Sequence, residues 1–232
     1  AWFILRVVIP ATSEEIGTIS GSGWQTFVEG MRYLWLRPPI LVLALLKASS
    51  SVAFGGIEIV QVTFAEETFR IGDDASATLG LIYLAVGLGT GLGPLVARRV
   101  TGDTPPPMYW AILVAYIAMV SGYLLLGISS TLLLVLVGTF VRTIGTGINW
   151  VYASSLLQML VPRQYLGRVF AFDMAMMTLA SSASTLWAGW AADSLGWSPH
   201  QITLALGGVS AVMAVGWCLF LVTQIRQPEV AR

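Results

Sequence analysis

Long apolar segments, separated by short polar connections, dominate the pattern of this chain from residue 38 onward. Each segment is close to the ~20 residues that an α-helix needs to cross a hydrocarbon layer of ~30 Å. The pattern therefore predicts an all-α membrane protein with a bundle of six spanning helices over residues 38–225. The spans are predicted at about residues 40–65, 78–97, 109–128, 132–157, 170–192 and 202–222.

The segments before and after the bundle follow different patterns. Residues 1–10 are apolar and resemble the end of a preceding transmembrane helix, and residues 11–37 form a linker. Apolar residues recur at helical spacing in the second half of that linker, at Trp24, Phe27, Val28, Met31, Leu34 and Trp35. This spacing predicts an amphipathic helix at the membrane interface, and the alternative is a helix packed on soluble protein. Residues 226–232 are predicted to be a cytoplasmic tail.

Charged residues also occur inside the predicted spans. Lys47 and Glu58 share the first span, and their spacing of eleven residues puts them ~20° apart on one helix face. Arg142 lies in the fourth span and Asp173 in the fifth. A charge near the bilayer centre costs ~2.5–3.5 kcal/mol on insertion scales, so intramembrane charges usually pair or meet water. Their depths predict two pairs, Lys47 with Asp173 and Glu58 with Arg142.

Two functions for these charge pairs are open. The pairs could only lock neighbouring helices together. Alternatively, Glu58 or Asp173 takes up and releases a proton as its pairing and hydration change, which is how carboxylates in membranes act as coupling sites.

Polar and aromatic residues near these charges predict a small-molecule cavity. A cavity with apolar walls and a few convergent polar groups is the usual form of such a site. We expect the first and fourth spans to line it with Gln61, Ser50, Asn149, Trp150 and Tyr152.

Glycines at four-residue spacing mark the second span. The pairs are Gly87 with Gly91 and Gly89 with Gly93, a spacing that lets membrane helices approach closely. A dinucleotide-binding fingerprint would need a preceding strand and a third glycine, and neither is found here.

Arginines indicate the orientation of the bundle, because cytoplasmic loops are enriched in basic residues. With alternating sides, only Arg70 falls on one side of the membrane. Nine arginines fall on the other side: Arg6, Arg32, Arg37, Arg98, Arg99, Arg163, Arg168, Arg226 and Arg232. Both chain ends are therefore predicted to be cytoplasmic, in the inner or plasma membrane of the cell.

Composition argues against several function classes. The chain is 56% hydrophobic and 10% charged with no net charge, so it offers no basic surface for nucleic acid. One cysteine and one histidine are poor material for a metal site, and no enzyme constellation is apparent. We expect no cofactor, no metal and no enzymatic activity.

Two cytoplasmic segments resemble those of major facilitator superfamily transporters. VPRQYLGRVFAFD resembles the family's V-P-x-x-x-R-G-R segment, matching at Val161, Pro162, Gly167 and Arg168. GLGPLVARR, which ends in Arg98 and Arg99, is similar to the loop after the second helix of each half. The segment RYLWLRPPILVLALLKASSSVAFGG is most similar to bacterial drug and siderophore exporters of the proton-antiport type, near the macrolide and enterobactin exporters.

This resemblance implies the C-terminal half of such a transporter, built as two inverted three-helix repeats. The first and fourth spans would face a central cavity, and the second and fifth would face the other half. The implied function is proton-coupled export of small amphipathic organic molecules. Its partners would be membrane lipids, the N-terminal six-helix half or other membrane subunits, and a small organic substrate. The resemblance assigns cytoplasmic gating to Arg98, Arg99, Pro162, Gly167 and Arg168.

The sequence departs from the family pattern at the gating loops. Leu166 stands where the family usually has Arg, and the second loop lacks its usual acid. These departures favour an alternative, in which the chain is a transporter-derived, non-transporting structural or accessory subunit of a larger membrane complex.

Overall fold

The computed structural model describes residues 23–72 and 75–226, and these residues fold almost entirely into helices. The helices are α1 Gly23–Trp35, α2 Pro38–Ala44, α3 Leu46–Thr63, a π-helical segment Phe64–Thr68, α4 Ser76–Thr101, α5 Pro105–Gly127, α6 Leu132–Leu160, α7 Arg163–Leu195 and α8 Pro199–Arg226. The predicted end of an earlier helix at 1–10, the linker residues 11–22 and the tail at 227–232 lie outside the described residues.

Six of the described helical stretches are long and apolar enough to cross a membrane. They confirm an all-α, multi-pass membrane protein with six spanning helices. Proline occupies the first turn of α2 and α5, where its missing N–H leaves no helical hydrogen bond unmade. The fifth span begins earlier than predicted, at Arg163 instead of about 170.

The first span departs from a regular α-helix at two places. The helix is distorted at Leu45 (φ −93°, ψ −3°), two residues before Lys47, and α3 begins at Leu46. At its other end the backbone widens into a π-helical turn, in which the N–H of Phe69 donates to the carbonyl of Phe64 at 2.8 Å. Such π-helical turns occur frequently at functional sites.

The spanning helices pack in a defined order. Helix α4 packs on α6, α6 on α5, α5 on α8, α8 on α3 and α3 on α7, while α3 also touches α6 through the middle of the bundle. Helices α4 and α7 lie at the edges. Only 17% of the most apolar stretch of each is buried, against 67% for the first span. Both therefore carry long faces that this chain leaves open.

Glycines allow the closest helix contacts. A Cβ added at Gly93 would lie 2.6 Å from the carbonyl oxygen of Ile144, and one added at Gly89 would overlap Thr143, so α4 and α6 meet backbone to backbone here. The predicted packing role of these two glycines is confirmed. Gly87 and Gly91 have open space around them, so their packing against a partner stays a prediction.

Helix α1 is amphipathic, as predicted, and docks on the beginning of α7. The ring of Tyr33 stacks on Tyr165 at 4.3 Å between centroids, and Glu29 accepts a hydrogen bond from Arg168 at 3.1 Å. Burial raises the pKa of the Tyr33 hydroxyl above its ordinary value. On the opposite side Phe27 and Trp35 are 51% and 73% exposed, an apolar face suited to a membrane interface.

Replacing Tyr165 with alanine is expected to loosen α1 by about 0.5–1.5 kcal/mol, the contribution of a stacked aromatic pair. Hydrogen exchange of the amides of residues 23–35 should accelerate about tenfold at the upper end of that range. Tyr83→Ala, at a half-exposed position on α4, is the matched control and should leave these amides unchanged. Equal exchange in both variants would show that the stack does not hold the helix.

Candidate functional site

An ion pair inside the bundle joins α3 to α7. The ammonium of Lys47 donates a hydrogen bond to Oδ2 of Asp173 at 2.7 Å, and the two residues are 2% and 0% exposed. This pairing confirms the prediction made from their depths. The same ammonium lies 5.0 Å from the ring centroid of Trp150 and 5.4 Å from that of Phe170. Oδ1 of Asp173 has no hydrogen-bond partner among the described residues.

A pocket of about 60 Å³ lies beside this ion pair. We call it the α3–α6 pocket, and its walls are Lys47, Ser50, Ser51, Phe54, Thr146, Asn149 and Trp150. The Nδ2 group of Asn149 donates to Ser50 Oγ at 3.2 Å, whereas its Oδ1 finds no donor in the described chain. Three of the five predicted cavity residues, Ser50, Asn149 and Trp150, thus lie together.

The other two predicted cavity residues, Tyr152 and Gln61, are not among the residues that line this pocket. The hydroxyl of Tyr152 shares a 2.7 Å hydrogen bond with Thr101 at the end of α4, so this side chain ties two helices together. Gln61 is buried farther along α3, with Nε2 unpaired within the described residues.

Several residues of the site were missed by sequence reasoning. Phe54 and Thr146 could have been found from helical register, because each lies three or four residues from a predicted cavity residue on its own helix. Tyr116 could not, since it lies on α5. Its hydroxyl shares a 2.6 Å hydrogen bond with Ser49 Oγ, and this bond connects the serine-rich turn of α3, residues 49–51, to α5.

The predicted pair of Glu58 with Arg142 is wrong. Arg142 is fully buried, and its guanidinium carbon lies 5.7 Å from the ring centroid of Phe54 and 5.5 Å from that of Tyr123. Glu58 lies on the exposed face of α3, one turn beyond Phe54. Spacing along two helices gives the depth of a charge but not the direction in which its side chain points, and the two groups point apart.

The residues assigned to cytoplasmic gating do not contact one another in a single network, and the two arginines that form ion pairs have separate partners. Arg98 binds Asp103 through two hydrogen bonds of 2.9 and 3.0 Å, in an exposed position. Pro162 immediately precedes α7, and Gly167 and Arg168 lie within its first two turns, so this segment is helical instead of a loop. Arg168 pairs with α1, and Arg99 is exposed.

A larger groove of about 310 Å³ lies between α3, α7 and α8. No charged residue is among its lining residues, which are Val52, Ala180, Ala183, Ser184, Trp187, Ala205, Leu206 and Val209. Its chemistry is that of a surface in contact with hydrocarbon, whereas the smaller α3–α6 pocket has an ion pair, hydroxyls and an aromatic face.

The α3–α6 pocket therefore carries the polar and aromatic groups that bind a polar organic molecule, and because its volume is about 60 Å³ against about 300–1,000 Å³ for most ligand sites, a ligand would require its walls to move. Trp150, 45% exposed, offers an aromatic surface to an entering ligand. The open oxygen of Asp173 gives the neighbouring ion pair a place to receive a proton. Comparison with models of protein families, with curated proteins and with solved structures finds no match for this chain, so its function is inferred from these residues alone.

Proposed function

We propose that this chain is one six-helix half of a secondary active transporter of the major-facilitator type, which exports small amphipathic organic molecules in exchange for protons. The observation that carries the proposal is the buried pair of Lys47 and Asp173 beside the α3–α6 pocket. A carboxylate and an ammonium next to a ligand pocket allow protonation and ligand binding to influence each other.

The order of helix packing supports an internal repeat. Helix α4 packs on α6 as α7 packs on α3, and α5 packs on α8 across the centre. If α3 is exchanged with α6, α4 with α7 and α5 with α8, each of these pairings is preserved. Because each set holds three spanning helices joined by short connections, the two sets would cross the membrane in opposite directions, as inverted repeats do.

The open faces of α4 and α7 support a second bundle as partner. Gly87 and Gly91 lie on the outer face of α4 with space for an approaching backbone. Glu58 is also exposed, and a carboxylate is unfavourable against lipid tails. A second six-helix body placed over this side would cover the small residues and give Glu58 a polar or hydrated surrounding.

In the proposed mechanism, Asp173 couples protons to helix positions. Protonation of its carboxyl removes the negative charge that holds Lys47, which weakens the attachment of α3 to α7. Deprotonation restores the pair. Alternating access requires such a change between two arrangements of packed helices around a midplane site. Glu58 is exposed on α3, the helix that carries Lys47, and it is the second candidate carboxylate for the proton.

Transport by the whole protein in proteoliposomes tests this proposal. With an imposed pH gradient, a panel of amphipathic organic molecules should include at least one whose movement depends on the gradient. Asp173→Asn is expected to lower gradient-driven transport about tenfold or more while substrate exchange without a gradient persists, and Glu58→Gln tests the second carboxylate in the same way. Asp193→Asn, at an exposed position near the end of α7, is the control.

Unchanged coupling in Glu58→Gln would remove Glu58 from the mechanism and leave Asp173 as the proton carrier. A pH gradient that drives none of the tested molecules would contradict the transporter proposal for that substrate class.

One observation favours the alternative of an accessory subunit. Arg168, which the resemblance assigns to gating, is engaged by Glu29 of α1. A fixed α1 and open faces on α4 and α7 also suit a protein that docks permanently on other membrane subunits. Purification from native membranes distinguishes the two, because an accessory subunit is recovered in fixed ratio with a larger complex.

A further inference from the structure

The buried charges of the described bundle do not balance. Three charged residues are buried there: the cations Lys47 and Arg142, and the single carboxylate Asp173. Because Lys47 and Asp173 neutralise each other, the charge of Arg142 is left over. An isolated buried charge is expensive unless it is paired and hydrogen-bonded.

The surroundings of Arg142 offer its guanidinium little compensation. Two of its three side-chain nitrogens, Nε and Nη1, have no hydrogen-bond partner among residues 23–72 and 75–226. The faces of Phe54 and Tyr123 supply cation–π contacts, which contribute about 0.5–2 kcal/mol each. Either free N–H group could donate a charge-assisted hydrogen bond to a carboxylate oxygen, which is roughly twice as strong as a bond between neutral groups.

The α3–α6 pocket adjoins this cation. Phe54 is shared, because it lines the pocket and also lies against Arg142. Thr146 is shared too, since it lines the pocket while its hydroxyl donates to the backbone carbonyl of Arg142 at 3.2 Å. Phe54 is therefore a wall that the pocket shares with Arg142, whose guanidinium is not itself among the lining groups.

We propose that the α3–α6 pocket binds a small organic anion, a carboxylate carried by an apolar or aromatic group, with Arg142 as its anchor. This inference rests on the proposed function and names its substrate class. Once Phe54 takes another rotamer, the acid group accepts a hydrogen bond from a free N–H group of Arg142, and the hydroxyl of Ser51 can donate to it as well. The apolar part of the ligand lies against Trp150.

Electrostatics favours an anion over a cation at this position. Arg142 adjoins the pocket with an unbalanced positive charge, so an organic ammonium would meet a like charge, whereas the charge of Lys47 is balanced by Asp173. Asp173 already binds Lys47 and does not line the pocket. Glu58 is the other acid on α3, and it lies on the exposed face beyond Phe54, outside the residues that line the pocket.

Fluorine NMR on the purified membrane protein tests the inference with two probes of similar shape and opposite charge, 4-fluorobenzoate and 4-fluorobenzylammonium. We expect the benzoate to bind at least about tenfold more tightly, because like charges in an interface discriminate strongly. Tighter binding of the ammonium, or no binding of either probe, would overturn the proposal. Micelles without protein correct for partitioning into detergent.

Variants locate the bound probe. Arg142→Gln should abolish the preference for benzoate, whereas Arg142→Lys keeps the charge and should retain part of it. Arg70→Gln removes an exposed arginine that does not line the pocket and should change nothing. Thr146→Leu narrows the pocket without touching a charge and should weaken benzoate binding about tenfold or more. This variant gives a second test if Arg142→Gln does not fold, and unaltered benzoate binding in folded Arg142→Gln or Thr146→Leu would overturn the proposal.

Failure of this inference and failure of the proposed function give different results. A protein that transports only organic cations remains a transporter but does not use this anion site. A protein that binds benzoate through Arg142 but moves no molecule across a membrane keeps the site and contradicts the transport function.

Discussion

Replacing Asp173 with asparagine is expected to lower the free energy of unfolding by about 3–5 kcal/mol, because it removes one partner of a buried ion pair. The ammonium of Lys47 would remain in a site where it is 2% exposed, without a negative charge to balance it. The rings of Trp150 and Phe170 attract a cation but cannot neutralise it. Denaturant unfolding in detergent micelles, followed by circular dichroism, measures the loss.

Two further variants show whether this loss comes from burial. Asp103→Asn breaks the exposed pair with Arg98 and should cost about 1 kcal/mol or less. The double variant Lys47→Met with Asp173→Leu replaces both charges by apolar groups and should recover most of the stability lost in Asp173→Asn. Equal losses for Asp173→Asn and Asp103→Asn would mean that the buried pair is in fact well solvated.

The spanning helices and one ion pair were predictable because both depend on distance along the chain. Length and apolarity indicate a span, and a count of residues from each end gives the depth of a charge. Lys47 and Asp173 have opposite charges in the same half of the predicted spans, and the structure pairs them. The same count matched Glu58 with Arg142, but the direction of a side chain around its helix depends on how the helices pack.

The beginning of α7 shows a second limit of sequence reasoning. The sequence predicts a connection between the fourth span and the fifth, which is expected to begin at about residue 170. Polar residues are equally compatible with a helix that extends beyond the membrane, and here the helix starts at Arg163. Its stability outside the bilayer draws on α1, through the stack of Tyr33 on Tyr165, and such a contact between distant segments has no local signal.

Replacing Gly93 with valine is expected to destabilise the bundle by about 1–3 kcal/mol, the usual range for overpacking at a tight contact. The first atom of the new side chain would lie 2.6 Å from the carbonyl oxygen and 3.0 Å from the Cα of Ile144. Both atoms belong to the backbone of α6, so no side-chain rotation can relieve the overlap. Helix α4 must instead move away from α6, and unfolding in micelles should show the loss.

Gly91→Val is the matched control, because it makes the same change two residues earlier on the same helix. Nothing lies within 4 Å of a Cβ added at Gly91, so the bundle should lose less than about 0.5 kcal/mol. If a second bundle docks on the open face of α4, Gly91→Val should still weaken that association, measured as recovery of the partner on copurification. Similar stability losses for the two variants would contradict the close approach of α4 to α6 at Gly93. An effect of Gly91→Val on association alone would show that α4 uses one glycine pair inside the bundle and the other against a partner.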